Sequence, residues 1–181
     1  AVVGKWHVCR DANVVFDEVY DRIDISSNYF PDSTGVYDGP RLPILAVKES
    51  TYENEYMTDK LTSHAIQFMN KQSNATPFFL YLGYNAVHNP WQAEKKYYDR
   101  LSNIKDEYMR VQASLIACAD ENIGILLNYL DDFVCYPSES RWSGRCHYFA
   151  SSLAIMGRRR EDQNLKHGKG MIPLLSMFSV R

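Results

Sequence analysis

The sequence predicts an α/β fold built on a parallel sheet, and three stretches carry that prediction. Phe78-Phe79-Leu80-Tyr81-Leu82 is an apolar, aromatic run too short for a helix of its own. Its density suits a strand buried on both faces, the kind found at the centre of parallel sheets. Just before it, Leu61, Ala65, Phe68 and Met69 recur on one helical face, giving the helix-to-strand step of α/β chains. After it, Tyr108, Val111, Leu115, Ala119, Ile123, Leu126, Leu127 and Leu130 recur at spacings of three and four, which predicts a long helix over roughly Asp106 to Leu130.

The totals bound the function. At 181 residues, 45% hydrophobic and 23% charged, the chain suits one globular domain. Net charge of −2, from 20 basic and 22 acidic residues, gives no polyanion-binding signature, so nucleic acid is not expected as a partner. Cys9, Cys118, Cys135 and Cys146 are scattered and lack CxxC spacing, so buried free thiols or one incidental bridge are expected. The sequence contains no apolar run of about 18 residues, and no membrane span is expected.

In chain order, Ala1-Val2-Val3 lacks the basic start and apolar core of a signal peptide and resembles the tail of a strand running into Gly4. A chain that opens inside a strand is read as a fragment, whose location its start does not reveal. Lys5-Trp6-His7 follows; in an extended conformation Lys5 and His7 share one face and Trp6 points to the other. Two cationic groups anchored by a buried indole suit an anion, although a surface lysine beside a hydrogen-bonded histidine gives the same spacing. Cys9 to Lys48 is irregular and rich in Asp, Asn, Ser, Gly and Pro, a long loop with short strands of the kind that covers a site.

Thr58 is placed as N-cap of the first helix, with Asp59 at the positive end of its dipole. His64, beside Lys60 and Lys71, falls on the solvated side. The predicted strand ends at Gly83, and Asn85 to Pro90 form a polar turn holding His88 at the carboxyl edge, where open α/β sheets place ligand sites. Trp91 to Leu101 reads as a short helix or turn with Tyr97 and Tyr98 inward; Asp120 and Glu121 read as solvated. Beyond Asp132 the periodicity is lost, and Arg158-Arg159-Arg160 and the cationic turn Lys166 to Gly170 stand out.

Four pieces, in this order, resemble the sulfatase family of the alkaline phosphatase superfamily. They are GKWH at Gly4 to His7, YMTDKLTSHAIQFM at Tyr56 to Met69, PFFLYLGYNAVHNPWQAEKKYYDRL at Pro77 to Leu101, and LKHGKG at Leu165 to Gly170. The resemblance implies an α/β/α sandwich with a mixed, mostly parallel sheet. Residues 1–132 would be the middle part of its catalytic domain, and 133–181 a divergent or mistranslated tail. It implies hydrolysis of sulfate esters by a formylglycine nucleophile beside Ca2+. By motif, Lys5 would steady the hydrated formylglycine and His7 would act as its base. His88 would bind the sulfate and protonate the leaving oxygen, and Lys169 would be a second sulfate-binding cation. Such groups are what a developing negative charge requires. A sulfated small molecule or glycan would be the partner, and a secreted, lysosomal or periplasmic location would follow. Two alternatives stand beside this: a phosphodiester or phosphonate hydrolase of the same superfamily, and a degenerate module binding sulfated glycans through Lys5, His7, His88 and Arg158 to Arg160.

The sequence departs from the family pattern in two places. The nucleophile motif C/S-x-P-S-R precedes GKWH in the family and is absent here; Cys135-Tyr136-Pro137-Ser138 with Arg141 imitates it in the wrong place. The Asp-Asp and Asp-Asn pairs that would supply calcium ligands are also absent, so no metal ligand is assigned in this chain. ASSLAIMG at Ala150 to Gly157 can be encoded GCG TCT TCA CTA GCG ATA ATG GG. Read from its third base, that string encodes Val-Phe-Thr-Ser-Asp-Asn-Gly, the family's strand and calcium-ligand motif. A shifted or wrongly spliced frame across Phe133 to about Arg160 is the reading this supports. Transcript sequencing is expected to find these codons, and different codons across Leu153 to Met156 would overturn it.

Overall fold

The computed structural model describes residues 1–7, 11–24, 27–33, 35–37, 45–50, 55–73, 76–135, 147–149 and 152–159. In chain order these form β1 (Val2–Lys5), α1 (Ala12–Val15), β2 (Val19–Ile23), β3 (Leu45–Lys48), α2 (Met57–Lys71), β4 (Phe78–Gly83), β5 (Trp91–Glu94) and α3 (Lys95–Arg100). Then come α4 (Glu107–Phe133), β6 (Val134–Cys135), β7 (His147–Phe149) and β8 (Ser152–Arg159). The main sheet has the order β2-β1-β4-β8-β6, with β7 also paired to β8. Strands β2, β1 and β4 are parallel, while β8 runs antiparallel to β4. The sheet is therefore mixed, and the aromatic strand β4 sits at its centre as predicted. A second, two-stranded parallel sheet joins β3 to β5.

Helix α2 buries Leu61, Ala65, Phe68 and Met69, the face its periodicity marked. Its start differs from the expectation. Met57, not Thr58, opens it after Tyr56, whose carbonyl accepts from the Lys60 amide at 3.0 Å; no side chain caps it, and the Met57 amide donates to the Tyr29 carbonyl at 2.8 Å. Thr58 is buried, and its carbonyl accepts from the Thr62 hydroxyl at 3.1 Å.

Strand β4 is buried on one face only. Phe78, Leu80 and Leu82 are buried, and Phe78 meets Phe68 of α2 edge-on at 5.8 Å. On the other face Phe79 is 43% exposed and Tyr81 half-buried. What covers that face is a row of rings, Phe79 stacked on Phe16, Phe16 edge-on to Trp6 and Trp6 edge-on to Tyr81, beside a helix α1 of one turn.

Asp106 caps α4, its carboxylate accepting from the Met109 amide at 2.8 Å. Val111, Leu115, Leu126 and Leu130 are buried, and each leucine removed from water contributes about 1.5–3 kcal/mol. Tyr108 does not belong to that stripe: it is 55% exposed and meets Trp91 edge-on at 5.9 Å. Asp120 and Glu121 are exposed as expected, Glu121 bonding Arg100 at 3.1 Å. The short helix expected over 91–101 is present as α3, Lys95–Arg100, but Trp91–Glu94 is strand β5, because β3 lies alongside and pairs Leu45 with Trp91. Tyr97 is buried there and Tyr98 only half-buried.

The central strands end in a mutual close approach. Gly4 has φ +82°, and a Cβ on it would lie 2.3 Å from the Gly83 carbonyl oxygen and 3.0 Å from Leu61 Cδ1. A Cβ on Gly83 would lie 2.3 Å from the Lys5 carbonyl oxygen. Backbone occupies both positions, so neither clash can be relieved by a rotamer change. Gly4→Ala and Gly83→Ala are each expected to cost about 3 kcal/mol or more in urea denaturation, with the larger loss at Gly4, where positive φ adds strain.

Candidate functional site

Gly4 pairs with Gly83 at the last rung of β1 and β4. Two segments leave the sheet side by side from that rung: Lys5-Trp6-His7 from β1, and Tyr84 to Pro90 from β4. The three residues singled out in the sequence, Lys5, His7 and His88, therefore share one carboxyl edge of the sheet. Lys5 is half-buried, and burial pushes its ammonium below the usual lysine range. Lys60, Lys71, Lys95 and Lys96 each sit on a carboxylate, but Lys5 has none among the described residues. Trp6 stands edge-on between Phe16 at 5.1 Å and Tyr81 at 5.3 Å, and its amide donates to the Ile23 carbonyl at 2.9 Å. The anchoring aromatic is thus real, although it is half-buried. His7 is exposed.

His88 is exposed on its turn, and its Nδ1 lies 2.7 Å from the Asn89 carbonyl oxygen. A carbonyl only accepts, so Nδ1 carries a proton and Nε2 is the free position. Neutral, His88 offers a lone pair there; protonated, it offers a second N–H. Only the protonated form donates to an anion.

The turn is held from beneath by groups that sequence reading did not single out. The Tyr29 hydroxyl lies 2.9 Å from the Asn85 carbonyl oxygen and 3.0 Å from that of His88, and the His88 amide donates to Asn85 at 2.8 Å. Asn85 is buried and donates through Nδ2 to the Ser27 carbonyl at 2.9 Å. Gln92, fully buried, accepts from the Tyr29 amide at 2.8 Å and donates to Asn28 at 3.1 Å. The Tyr56 hydroxyl closes the net on the Gln92 carbonyl at 2.7 Å. Burial pushes the Tyr29 phenol well above the ordinary tyrosine range, so it stays a neutral donor. Because the side-chain bonds of Tyr29, Asn85 and Gln92 join residues 56 to 64 apart in the chain, no local pattern marks these three for this role.

His64 is not simply solvated. Its Nδ1 bonds the Asp21 carboxylate, whose other oxygen lies 2.8 Å from Lys60 Nζ. Lys169, Cys9, Cys146 and Arg160 lie outside the described residues, as do the side chains of Cys135, Arg158 and Arg159. Cys118 is a buried free thiol on α4. Burial, then the Asp59 carboxylate, push its pKa up, which makes it a poor nucleophile.

The described residues do not fit a hard divalent cation. Such an ion takes about six to eight oxygens with carboxylates among them. Among the described residues no three His, Cys, Asp or Glu side chains converge, and the buried unpartnered oxygens at this edge, Ser27 Oγ and Asn85 Oδ1, are neutral. No step is therefore derived through a metal or through a modified cysteine. No helix of the described residues is long and apolar enough to cross a membrane.

A family model described as "Sulfatase" matches residues 1–134. Among curated proteins, mouse "Arylsulfatase J" is 27% identical over 168 residues, covering 77% of this chain and 26% of that protein. Goat "N-acetylglucosamine-6-sulfatase" is 34% identical over 53 residues, 29% of this chain and 10% of that protein. Among solved structures, Ps i-CgsB superposes with TM-score 0.56 at 23% identity, over 87% of this chain and 44% of its own. A second structure of it, in complex with k-i-k-neocarrahexaose, gives 0.54. The chain thus spans about a quarter of the first relative and less than half of the solved neighbour. The fold these neighbours share is the mixed, mostly parallel α/β arrangement of alkaline-phosphatase-like proteins.

Tyr29→Phe removes the one donor that faces two turn carbonyls. It is expected to cost about 1–2 kcal/mol in thermal denaturation, with faster hydrogen exchange of the His88 amide as the local sign.

Proposed function

The chain belongs to the sulfatase family, and on that premise we propose that it forms the sulfate-recognising middle of a domain that hydrolyses sulfate esters. One observation carries this reading: at the carboxyl edge, a half-buried Lys5 that meets no carboxylate among the described residues stands on the strand next to the one that ends in the His88 turn. An ammonium held in a partly dry place is stabilised by an anion that enters beside it. Protonated His88 offers Nε2–H to the same anion and is placed to pass that proton to a leaving alcohol oxygen. His7, exposed on the same segment as Lys5, serves as base. Lys169, outside the described residues, is proposed as a second sulfate-binding cation. The groups that supply nucleophile and metal in the family are not assigned to any residue of this chain.

Residues 1–132 are accordingly read as the middle of the catalytic domain and 133–181 as its divergent or mistranslated tail. The substrate class is a sulfated ring. Relatives named for an aryl group and for N-acetylglucosamine, and a neighbour crystallised with a hexaose, support a sulfated small molecule or glycan. A secreted, lysosomal or periplasmic setting belongs to the same proposal.

The purified 181-residue chain is expected to show no turnover of an aryl sulfate with Ca2+ present, yet to bind inorganic sulfate in a titration followed by NMR. Lys5→Ala and His88→Ala are each expected to weaken that binding about tenfold, the scale of one lost charge-assisted hydrogen bond. Binding is expected to fall as pH rises and Lys5 loses its proton, at a lower pH than an ordinary lysine because burial depresses its pKa. Turnover by the chain alone would overturn the incomplete-domain reading. Sulfate affinity indifferent to both substitutions would overturn the site.

A further inference from the structure

Strand β2 does not pair evenly with β1. Val2 faces Val19 and Val3 faces Tyr20, but Lys5 faces Ile23. Asp21 and Arg22 therefore oppose Gly4 alone, a β-bulge at the level of the Gly4–Gly83 approach. Asp21 has φ +43°, a left-handed conformation uncommon for residues with a side chain, although aspartate adopts it more readily than most. What holds it is helix α2: Lys60 Nζ lies 2.8 Å from one carboxylate oxygen, and His64 Nδ1 bonds the other. The Asp21 side chain is only 17% exposed. Arg22 turns the other way, to Asp11 and Asp24, each at 2.7 Å.

The two anchors flank Leu61, the α2 residue that packs on Gly4. One turn of helix thus fixes both strands at one level, Gly4 through Leu61 and the bulge through Asp21. Past the bulge, the Ile23 carbonyl accepts from the Trp6 amide at 2.9 Å, a bond made immediately before His7. If the bulge relaxes, the position of the Ile23 carbonyl relaxes with it.

We propose that Asp21 is a positioning residue for Lys5 and His7: held by His64 and Lys60, its carboxylate maintains the bulge that fixes the path of Lys5-Trp6-His7 out of the sheet. This rests on the reading of Lys5 and His7 as sulfate-site residues. Asp21 itself is assigned no contact with substrate.

The test is Asp21→Gly, which accepts a left-handed φ and removes the whole side chain, beside Asp21→Asn, which keeps the side chain and removes its charge and so controls for the glycine's added backbone freedom. Hydrogen exchange of the Trp6 amide is expected to speed up about tenfold while exchange in α2 and at Val2 and Val3 is unchanged. Affinity for inorganic sulfate is expected to fall about fivefold with the far-ultraviolet circular dichroism intact. Should Asp21→Gly fail to fold, Lys60→Met and His64→Gln, each removing one partner, are expected to show the same loosening confined to Trp6. Exchange that rises evenly over β1, β2 and α2 would mark a merely structural ion pair and overturn the proposal. So would an unchanged Trp6 amide in a chain that still binds sulfate. Failure of the unmodified chain to bind sulfate overturns the site reading instead, and is seen before any variant is made.

Discussion

The contact between Gly4 and Gly83 is the constraint on which the rest depends. Two parallel strands approach so closely at their carboxyl ends that each glycine's missing side chain is replaced by the other strand's carbonyl or its neighbour's. The approach turns Lys5 and its followers out of the sheet at the rung where β4 ends, so the two segments emerge together. It also sets the height of α2, since Leu61 rests on the bare Cα of Gly4. A side chain at either position would separate the segments that carry the cationic groups. The site is therefore a consequence of backbone packing before it is one of side-chain chemistry.

Around that contact the polar groups divide into two sets. Beneath the His88 turn, Tyr29, Asn85 and Gln92 are buried, neutral and bonded largely to backbone, which gives rigidity without adding charge where charge is costly. On the β2 side the work is ionic, with Asp21 between Lys60 and His64. That cluster is part-exposed, so its contribution to stability is modest after solvent screening. Its proposed effect is on the geometry of the bulge more than on stability.

Elements with a period of their own were legible from sequence: β4 from its aromatic run, α2 and the core stripe of α4 from spacings of three and four. What failed was information held between distant segments. Strand β3 and β5 pair across a stretch with no pattern, so Trp91 to Glu94 looked like part of a helix or turn until its partner was in place. Thr58 is a good cap by composition, but the helix begins a residue earlier and the Lys60 amide it would have served bonds the Tyr56 carbonyl. His64 looked solvated because Asp21, 43 residues away, gives no local sign of turning toward it. Phe79 looked buried because composition cannot say how much of a sheet face a one-turn helix covers. At the site, position was partly readable and chemistry was not: a strand ending placed His88 at the carboxyl edge, Lys5 and His7 were legible only as sharing one face, and only resemblance to a family gave the edge a reaction.

The two cations at the edge differ in a way that suits a leaving group as well as a bound anion. Lys5 holds its charge against a desolvation cost that lowers its pKa, a cost that an anion sharing its environment offsets. His88 has committed one ring nitrogen to the Asn89 carbonyl, and the charge it presents depends wholly on the proton at the other. A group that only bound sulfate would gain from being permanently charged. One that must also give up a proton to an alkoxide cannot be permanent. On the proposed reading, the lysine on the pinned strand would bind and the histidine on the exposed turn would also transfer a proton, and the pairing of β1 with β4 is what brings their two segments to one edge.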